Sequence, residues 1–312
     1  MYDIPILLIF FNREEVVMQT LAMIKEARPE RLYLACDGAR DDVKEERAKI
    51  QTIREKVLSQ IDWPCEVKTR FLDNNIGCSL GVCTAIDWLF QNEETGIILE
   101  DDCRPQRSFF PFMKEMLQRY KDDQRIGMVD GANYIKNYTI KDSYCFSKYK
   151  STNGWGTWRR SWLNMDLDMQ WRGTHYQPSI IKNIGYRAKD IRYWHYRLKA
   201  IDCGHVSAWD WQWYLTLSAQ NQLSIFPKVS LISNIGFGKD ATHTSFASNP
   251  DHYLAHQELS FPLSHPQYVL PDYDFDRCFS HANNTLYNRL NQLIPFKLKR
   301  KVKNIIKSLC KR

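Results

Sequence analysis

The stretch Ile4-Pro5-Ile6-Leu7-Leu8-Ile9-Phe10 has no polar face. A strand of this kind must be covered on both sides, which is the condition of strands inside a parallel sheet. Similar short apolar runs recur at Leu32-Tyr33-Leu34-Ala35-Cys36, at Ile97-Ile98-Leu99 and at Ile126-Gly127-Met128-Val129, with a more polar candidate strand at residues 66–71. Helical spacing fills the gaps between them. Asn12 stands where a cap is expected, Glu14 and Glu15 suit a positive first turn, and Val16, Val17, Thr20, Leu21 and Ile24 share one face. A charged helix is expected over residues 41–60 with Ile50, Ile53 and Val57 inward, and another over 78–91. A third opens at Ser108, and its regular stripe of Phe109, Phe112, Met113, Met116, Leu117 and Tyr120 reads as core. Strand and helix alternate with short loops, which predicts an α/β fold with a mixed, mostly parallel, Rossmann-like sheet flanked by helices.

In such sheets ligands sit beyond the carboxyl ends of the strands. The residues that fall there are Asn12 and Arg13, Asp37 and Gly38, the turn from Asp73 to Asn75, and Glu100-Asp101-Asp102. Three consecutive carboxylates at a strand tip repel one another unless a cation sits among them. Hard oxygen ligands suit Mg²⁺ or Mn²⁺, and either ion would hold a diphosphate. The plain alternative is a solvated acidic turn. Loops are polar in any case, so the architecture alone guarantees some of this convergence.

Several classes of function are disfavoured. The first strand is followed by Phe10-Phe11-Asn12-Arg13, with neither G-x-G-x-x-G nor G-x-x-x-x-G-K-[ST], against a dinucleotide-binding enzyme or a P-loop NTPase. The glycine-rich first loop expected of sugar nucleotidyltransferases is missing too. The formal charge of +7 is local: residues 291–312 hold eight Lys and Arg and no acid. Removing those eight from the 43 basic residues leaves 35 against 36 acidic ones, so the body carries no general nucleic-acid signal. Nine scattered cysteines without a C-x-x-C pair fit a reducing compartment. No signal peptide or membrane-spanning segment is expected, and the default location is cytoplasmic.

The second half changes character. Gly154-Trp155-Gly156-Thr157-Trp158-Arg159-Arg160-Ser161-Trp162 concentrates indoles, guanidiniums and glycines, suited to sugar rings and phosphate or, alternatively, to a packed corner. In Ala208-Trp209-Asp210-Trp211-Gln212-Trp213 a carboxylate sits among indoles. Apolar surroundings raise a carboxyl pKa toward that of a general base, while capping a helix through Leu215 and Leu217 is the simpler role. The stretch from Ile225-Phe226-Pro227 to Ile232 then leads toward the last motif. After it, the segment from Ser233 to Thr244, with Gly236, Gly238, Lys239 and His243, suits a loop closing over phosphate or a plain surface loop.

Taken in order over residues 4–244, Phe10-Phe11-Asn12-Arg13, Cys36-Asp37-Gly38, Asn74-Asn75-Ile76-Gly77-Cys78, Ile98-Leu99-Glu100-Asp101-Asp102, Gly154-Trp155-Gly156-Thr157-Trp158 and Asn234-Ile235-Gly236-Phe237 resemble nucleotide-sugar glycosyltransferases of the GT-A fold. The likeness is to bacterial family-2-like and N-acetylglucosaminyltransferase I-like enzymes, whose Asp-x-Asp metal motif is similar to Glu100-Asp101-Asp102. The resemblance implies that Asp102 binds Mn²⁺ or Mg²⁺ and that Glu100 and Asp101 orient ribose and sugar. Asp37 would meet the uracil of a UDP-sugar, and Asp210 would be the base of an inverting reaction on a glycan or glycolipid hydroxyl. Asn12, Arg13, Asn75, Trp155 and His243 complete the expected donor site. The family often has a second acid where this chain has Trp211. Residues 1–130 would form the nucleotide-sugar half, 131–270 the acceptor and catalytic half, and 271–312 a helical basic tail. Two rival functions stand beside this one, a metal-dependent nucleotidyltransferase and a degenerate carbohydrate-binding relative.

In the tail, Leu298, Val302, Ile305, Ile306 and Leu309 fall on one helical face and the basic residues on the other. Such an amphipathic helix suits the anionic inner face of a cell membrane or, alternatively, docking on the enzyme body.

Overall fold

The structure is a computed structural model and describes residues 1–185, 187–236, 257–296, 298 and 299. Its centre is one eight-stranded sheet in the order β3-β2-β1-β4-β8-β6-β9-β7. The strands are β1 (Ile6–Phe10), β2 (Arg31–Cys36), β3 (Glu66–Phe71), β4 (Thr95–Glu100), β6 (Ile126–Asp130), β7 (Tyr144–Ser147), β8 (Trp155–Trp158) and β9 (Leu223–Pro227). A separate antiparallel pair joins β5 (Cys103–Pro105) to β10 (Ile232–Asn234). The stretch from Ile225 to Ile232 thus runs from one sheet into the other.

β1 pairs in parallel with β2 and β4, β2 with β3, and β6 with β9. β8 runs antiparallel between β4 and β6, and β7 antiparallel against β9. The sheet is therefore mixed, mostly parallel and Rossmann-like, as the alternation of the sequence predicts. It passes without a break from the first half of the chain into the second.

Helices cover both faces. On one, α1 (Glu14–Ala27), α2 (Glu46–Ser59) and α4 (Phe109–Arg119) bury Leu21, Ile53 and Phe112 against Ile6 and Leu8. On the other, α3 (Cys78–Asn92), the short α5 (Arg159–Trp162) and α8 (Asp210–Ala219) bury Ile86, Trp162 and Trp213 against Leu7 and Ile98. Neighbouring residues of β1 and β4 thus serve opposite cores, the period-two alternation of a pleated strand. α6 (Gln177–Ile184) and α7 (Ala188–Asp202) pack on the outer side of α8 through Ile181, Trp194 and Leu215. α9 (Tyr273–Asn283) seats Phe275 on Phe226, and α10 (Leu286–Leu293) follows it.

Two local expectations change. α1 begins at Glu14 after Arg13, with no side-chain cap; the Asn12 amide instead donates to Glu46 Oε1 at 2.8 Å. Long-range pairing with a buried carboxylate outweighs the local cap, which contributes only about 1 kcal/mol. The Gly154–Trp158 stretch is neither a binding surface nor an irregular corner but the central antiparallel strand. Trp155 enters the α3/α8 core, Trp158 the α4 core, and the Trp158 indole donates to the Leu117 carbonyl at 3.0 Å.

Candidate functional site

The carboxyl ends of β1 to β4 open onto a cavity of about 310 Å³. Its wall contains Asn12, Arg13, Asp37, Asn75, Glu100, Asp101 and Asp102, which the sequence points to. It also contains Arg40 and Arg70, which the sequence reading misses. Arg70 stands one residue before the end of β3, so strand register is the signal that could have placed it on the rim. A second, larger depression of about 840 Å³ lies where α6 meets the far end of α8. Asp166 is the one carboxylate in its wall, so the concentrated charge belongs to the smaller cavity.

Arg13 leaves the end of β1 and its guanidinium reaches across to the end of β4. Nε lies 3.2 Å from Asp101 Oδ2 and Nη2 3.1 Å from Asp102 Oδ2, while Nη2 also pairs closely with Asp101 Oδ1. The two carboxylates hold the Arg13 pKa above its ordinary value despite burial. Burial pushes Asp101 up to about 6, against the pull of Arg13. Its main-chain carbonyl is fixed by the Thr20 hydroxyl at 2.7 Å. Glu100 is pushed up to about 8, first by burial and then by the charges of Asp102, Asp101 and Asp210. The pull of Arg13 on Glu100 is thus smaller than the combined push of burial and these charges.

Asp37 follows the last residue of β2 and organises the loop before α3. Its carboxylate accepts the main-chain N–H groups of Gly38 at 2.9 Å, Ile76 at 3.0 Å and Gly77 at 3.1 Å. Asn75 returns a bond to the Gly38 carbonyl at 2.9 Å. Gly38 is required here because a Cβ would stand 2.3 Å from the Asn74 carbonyl carbon. Farther along the loop that follows β2, Glu46 accepts from the Arg40 main-chain N–H at 2.8 Å and from its Nε at 3.0 Å. Those bonds hold the Glu46 carboxyl down at about 2, and the Arg40 guanidinium is fixed 5.5 Å above the Phe11 ring.

The β5–β10 pair brings a second close approach. Ile235 N–H donates to the Asp102 carbonyl at 3.0 Å, and a Cβ on Gly236 would meet Asp102 Oδ2 at 2.3 Å. Asp210 opens α8 rather than preceding it, and the cap residue Trp209 makes no side-chain cap bond. The Ser79 hydroxyl ties the start of α3 to the Ala208 carbonyl at 3.1 Å. Asp210 is not in the cavity wall, but its charge raises both Glu100 and Cys78, the latter to about 12 with burial as the main cause. Trp155 does not serve the cavity. Its side chain is 1% exposed, and its ring packs on Trp209, Trp213 and Trp162 at centroid distances of 6.0, 5.9 and 6.2 Å. His243 lies outside the described residues.

Among the described residues, no three His, Cys, Asp or Glu side chains converge to hold a metal ion unaided. The carboxylates that do meet fit a hard divalent ion of the kind that takes one or two carboxylates and completes its shell with water and substrate phosphate. Burial first, and then the negative charge of these neighbours, keeps Glu100 protonated near neutrality. All eight described cysteines are free, and no helix among the described residues is long and apolar enough to cross a membrane.

Fold and cavity define a Rossmann-like α/β protein with an arginine-bridged acidic site at the carboxyl rim of its sheet. No family model matches the sequence, and no curated protein does. Among solved structures, the chain overlays on S. aureus TarS 1–349 at 9% identity and a TM-score of 0.38, covering 74% of this chain and 59% of that one. A cytidylyltransferase from Leptospira borgpetersenii matches at 10% identity and a TM-score of 0.33, covering 58% and 70%. UDP-glucose pyrophosphorylase complexed with UDP-glucose matches at 9% identity and a TM-score of 0.35, covering 72% and 90%. The chain thus spans 59% of the length of the TarS chain it overlays on. At these scores the functional reading rests on the chain's own residues.

Proposed function

We propose that the chain is a glycosyltransferase that moves a sugar from a nucleoside-diphosphate sugar, a UDP-sugar in the first instance, to a hydroxyl of a glycan or lipid-linked saccharide. One observation carries the reading: Arg13 bridges Asp101 and Asp102 on the cavity wall, while burial and then the charges of Asp102, Asp101 and Asp210 raise Glu100 to about 8. Such a cluster is poised for a divalent cation and the diphosphate that accompanies it.

Asp102 and Glu100 would hold Mn²⁺ or Mg²⁺, and Asp101, committed to Arg13, would keep that pair in place. When bound, the cation neutralises the charge that collects on the leaving diphosphate. Arg40 and Arg70, both on the wall, supply further positive charge to the phosphates. Asp37 acts through the loop it holds, which forms the wall of the nucleoside pocket together with Asn75. Asp210 takes the proton of the acceptor hydroxyl as that oxygen bonds to the anomeric carbon. The bond from that carbon to the diphosphate oxygen breaks, and the anomeric configuration inverts.

A panel of UDP-, GDP- and CDP-sugars tests this by thermal shift with and without Mn²⁺, because a ligand selective for the folded state must raise its stability. Asp102→Ala is expected to abolish the metal-dependent shift. Asp210→Ala is expected to keep it and to lose transfer; near-normal turnover in that variant would remove Asp210 from the base role. Production of a nucleotide sugar from a nucleoside triphosphate and a sugar phosphate would overturn the reading in favour of nucleotidyl transfer.

A further inference from the structure

α10 presents an apolar stripe to solvent. Leu286, Leu290 and Leu293 stand at i, i+4 and i+7 and are 70%, 55% and 78% exposed, and Ile294 and Leu298 continue the exposed aliphatic run. An exposed helical leucine stripe is costly in water, in proportion to the apolar area left uncovered. It marks a contact surface rather than scattered surface apolarity.

The stripe lies beside a positive helix. The Asn284 amide, just ahead of α10, donates to Asp190 Oδ1 of α7 at 3.0 Å. Beyond α10, Phe296 stacks on Tyr196 of α7 at 5.1 Å, and Lys299 Nζ donates to the Tyr196 hydroxyl at 2.6 Å. α7 carries exposed Arg192 and Lys199, and α10 carries exposed Arg289. Among the described residues none of these three has a carboxylate within ion-pair distance. Lys189 is pushed below its ordinary pKa, mainly by burial, with Arg187 and Arg289 adding repulsion against the pull of Asp190. The two acids of α7 are already engaged: Asp190 is buried among Ser280 and Asn284, and Asp202 pairs with Arg172. In sequence, residues 291–312 hold eight basic residues and no acid, of which all but Lys299 lie outside the described residues.

We propose that α7 and α10 form a surface that rests on an anionic lipid bilayer, with Leu286, Leu290 and Leu293 entering the headgroup layer and Arg192, Lys199, Arg289 and Lys299 meeting lipid phosphates. An apolar stripe flanked by exposed cations that have no carboxylate partner among the described residues is the arrangement that lies in a membrane interface. A second copy of the chain fits less well. The stripe is narrow beside the ~800 Å² per partner of a stable protein interface. A two-fold contact would also set the same positive residues against each other.

The test uses the full chain, without donor or turnover, so it is separable from the reaction proposed above. Co-sedimentation is measured with vesicles of phosphatidylcholine alone and with one third phosphatidylglycerol, at low and high salt. Binding to the anionic vesicles only, weakened by salt, is expected. Leu290→Ser with Leu293→Ser, and separately Arg192→Ala with Arg289→Ala, should each reduce the partition coefficient at least tenfold. Far-UV circular dichroism and melting curves matching the parent would show that both variants fold. Equal binding to neutral vesicles, or parent-like binding in either variant, overturns the proposal. So does a solution mass of two chains that falls to one in the leucine variant, which would make the stripe a homodimer contact.

Discussion

Glu100→Gln isolates the electrostatic state of the cavity, because it removes one charge and keeps the shape. In the folded chain Glu100 titrates at about 8, against its ordinary 4.5. The folded state therefore binds this proton more tightly than the unfolded chain does. Its stabilising contribution is complete below pH 4.5, is lost steadily as pH rises toward 8, and is gone above it. At 1.36 kcal/mol per pH unit the full difference has a ceiling of ~5 kcal/mol. The carboxyl is half-buried and faces an open cavity, so solvent screening reduces this to about 2 kcal/mol. The glutamine variant should match the parent near pH 5 and exceed it by about 2 kcal/mol at pH 8 to 9, a gain of roughly 4 °C in melting temperature. The assay is urea denaturation and thermal melting of both proteins from pH 5 to pH 9 without divalent ions. Asp101, raised to about 6, contributes a slope of its own, but it is present in both proteins and largely cancels in the comparison. Parallel stability curves across the whole range would refute the reasoning, since Glu100 could not then carry the excess charge of the site.

Arg13→Met leaves Asp101 buried without its partner and should cost about 3 kcal/mol at pH 7, read from denaturant midpoints at unchanged m. Gly236→Ala places a Cβ 2.3 Å from Asp102 Oδ2 and should weaken Mn²⁺-dependent UDP binding at least tenfold, measured by calorimetry, while the melting temperature stays within a few degrees. Trp155→Ala empties the centre of the tryptophan cluster and should destabilise by about 3–5 kcal/mol. Where a refolded fraction is assayed at low temperature, its donor affinity should be that of the parent, because the indole never meets the cavity. Metal-assisted UDP binding by the parent should strengthen about tenfold per pH unit between pH 6 and 8, as Glu100 gives up its proton, and calorimetry in buffers of different ionisation enthalpy should record proton release.

Much of the site was readable before any coordinates because β1 to β4 are parallel and locally marked. Runs without a polar face, such as Ile4 to Phe10, can only be interior strands. Their carboxyl ends then fall on one rim, so Arg13, Asp37 and Glu100 to Asp102 converge by topology alone. Periodicity also identified the inner faces of α1, α2 and α4, since Ile53 and Phe112 lie on stripes that any docked helix would bury. What periodicity could not supply was the identity of partners distant in the chain. Trp155-Gly156-Thr157-Trp158 looks like an aromatic surface in one dimension. Only pairing with Ile98 on one side and Asp130 on the other turns it into a central strand with Trp155 and Trp158 in opposite cores. Asn12 has the chemistry of a cap, yet its amide is taken by Glu46, 34 residues away. Asp37 has the chemistry of a ligand group, and the fold also sets its oxygens to accept the main-chain N–H groups of Ile76 and Gly77. Side-chain type and spacing are local properties and survive in the sequence. Which donor meets which acceptor depends on long-range packing, and there a buried carboxylate takes whichever N–H the fold brings nearest.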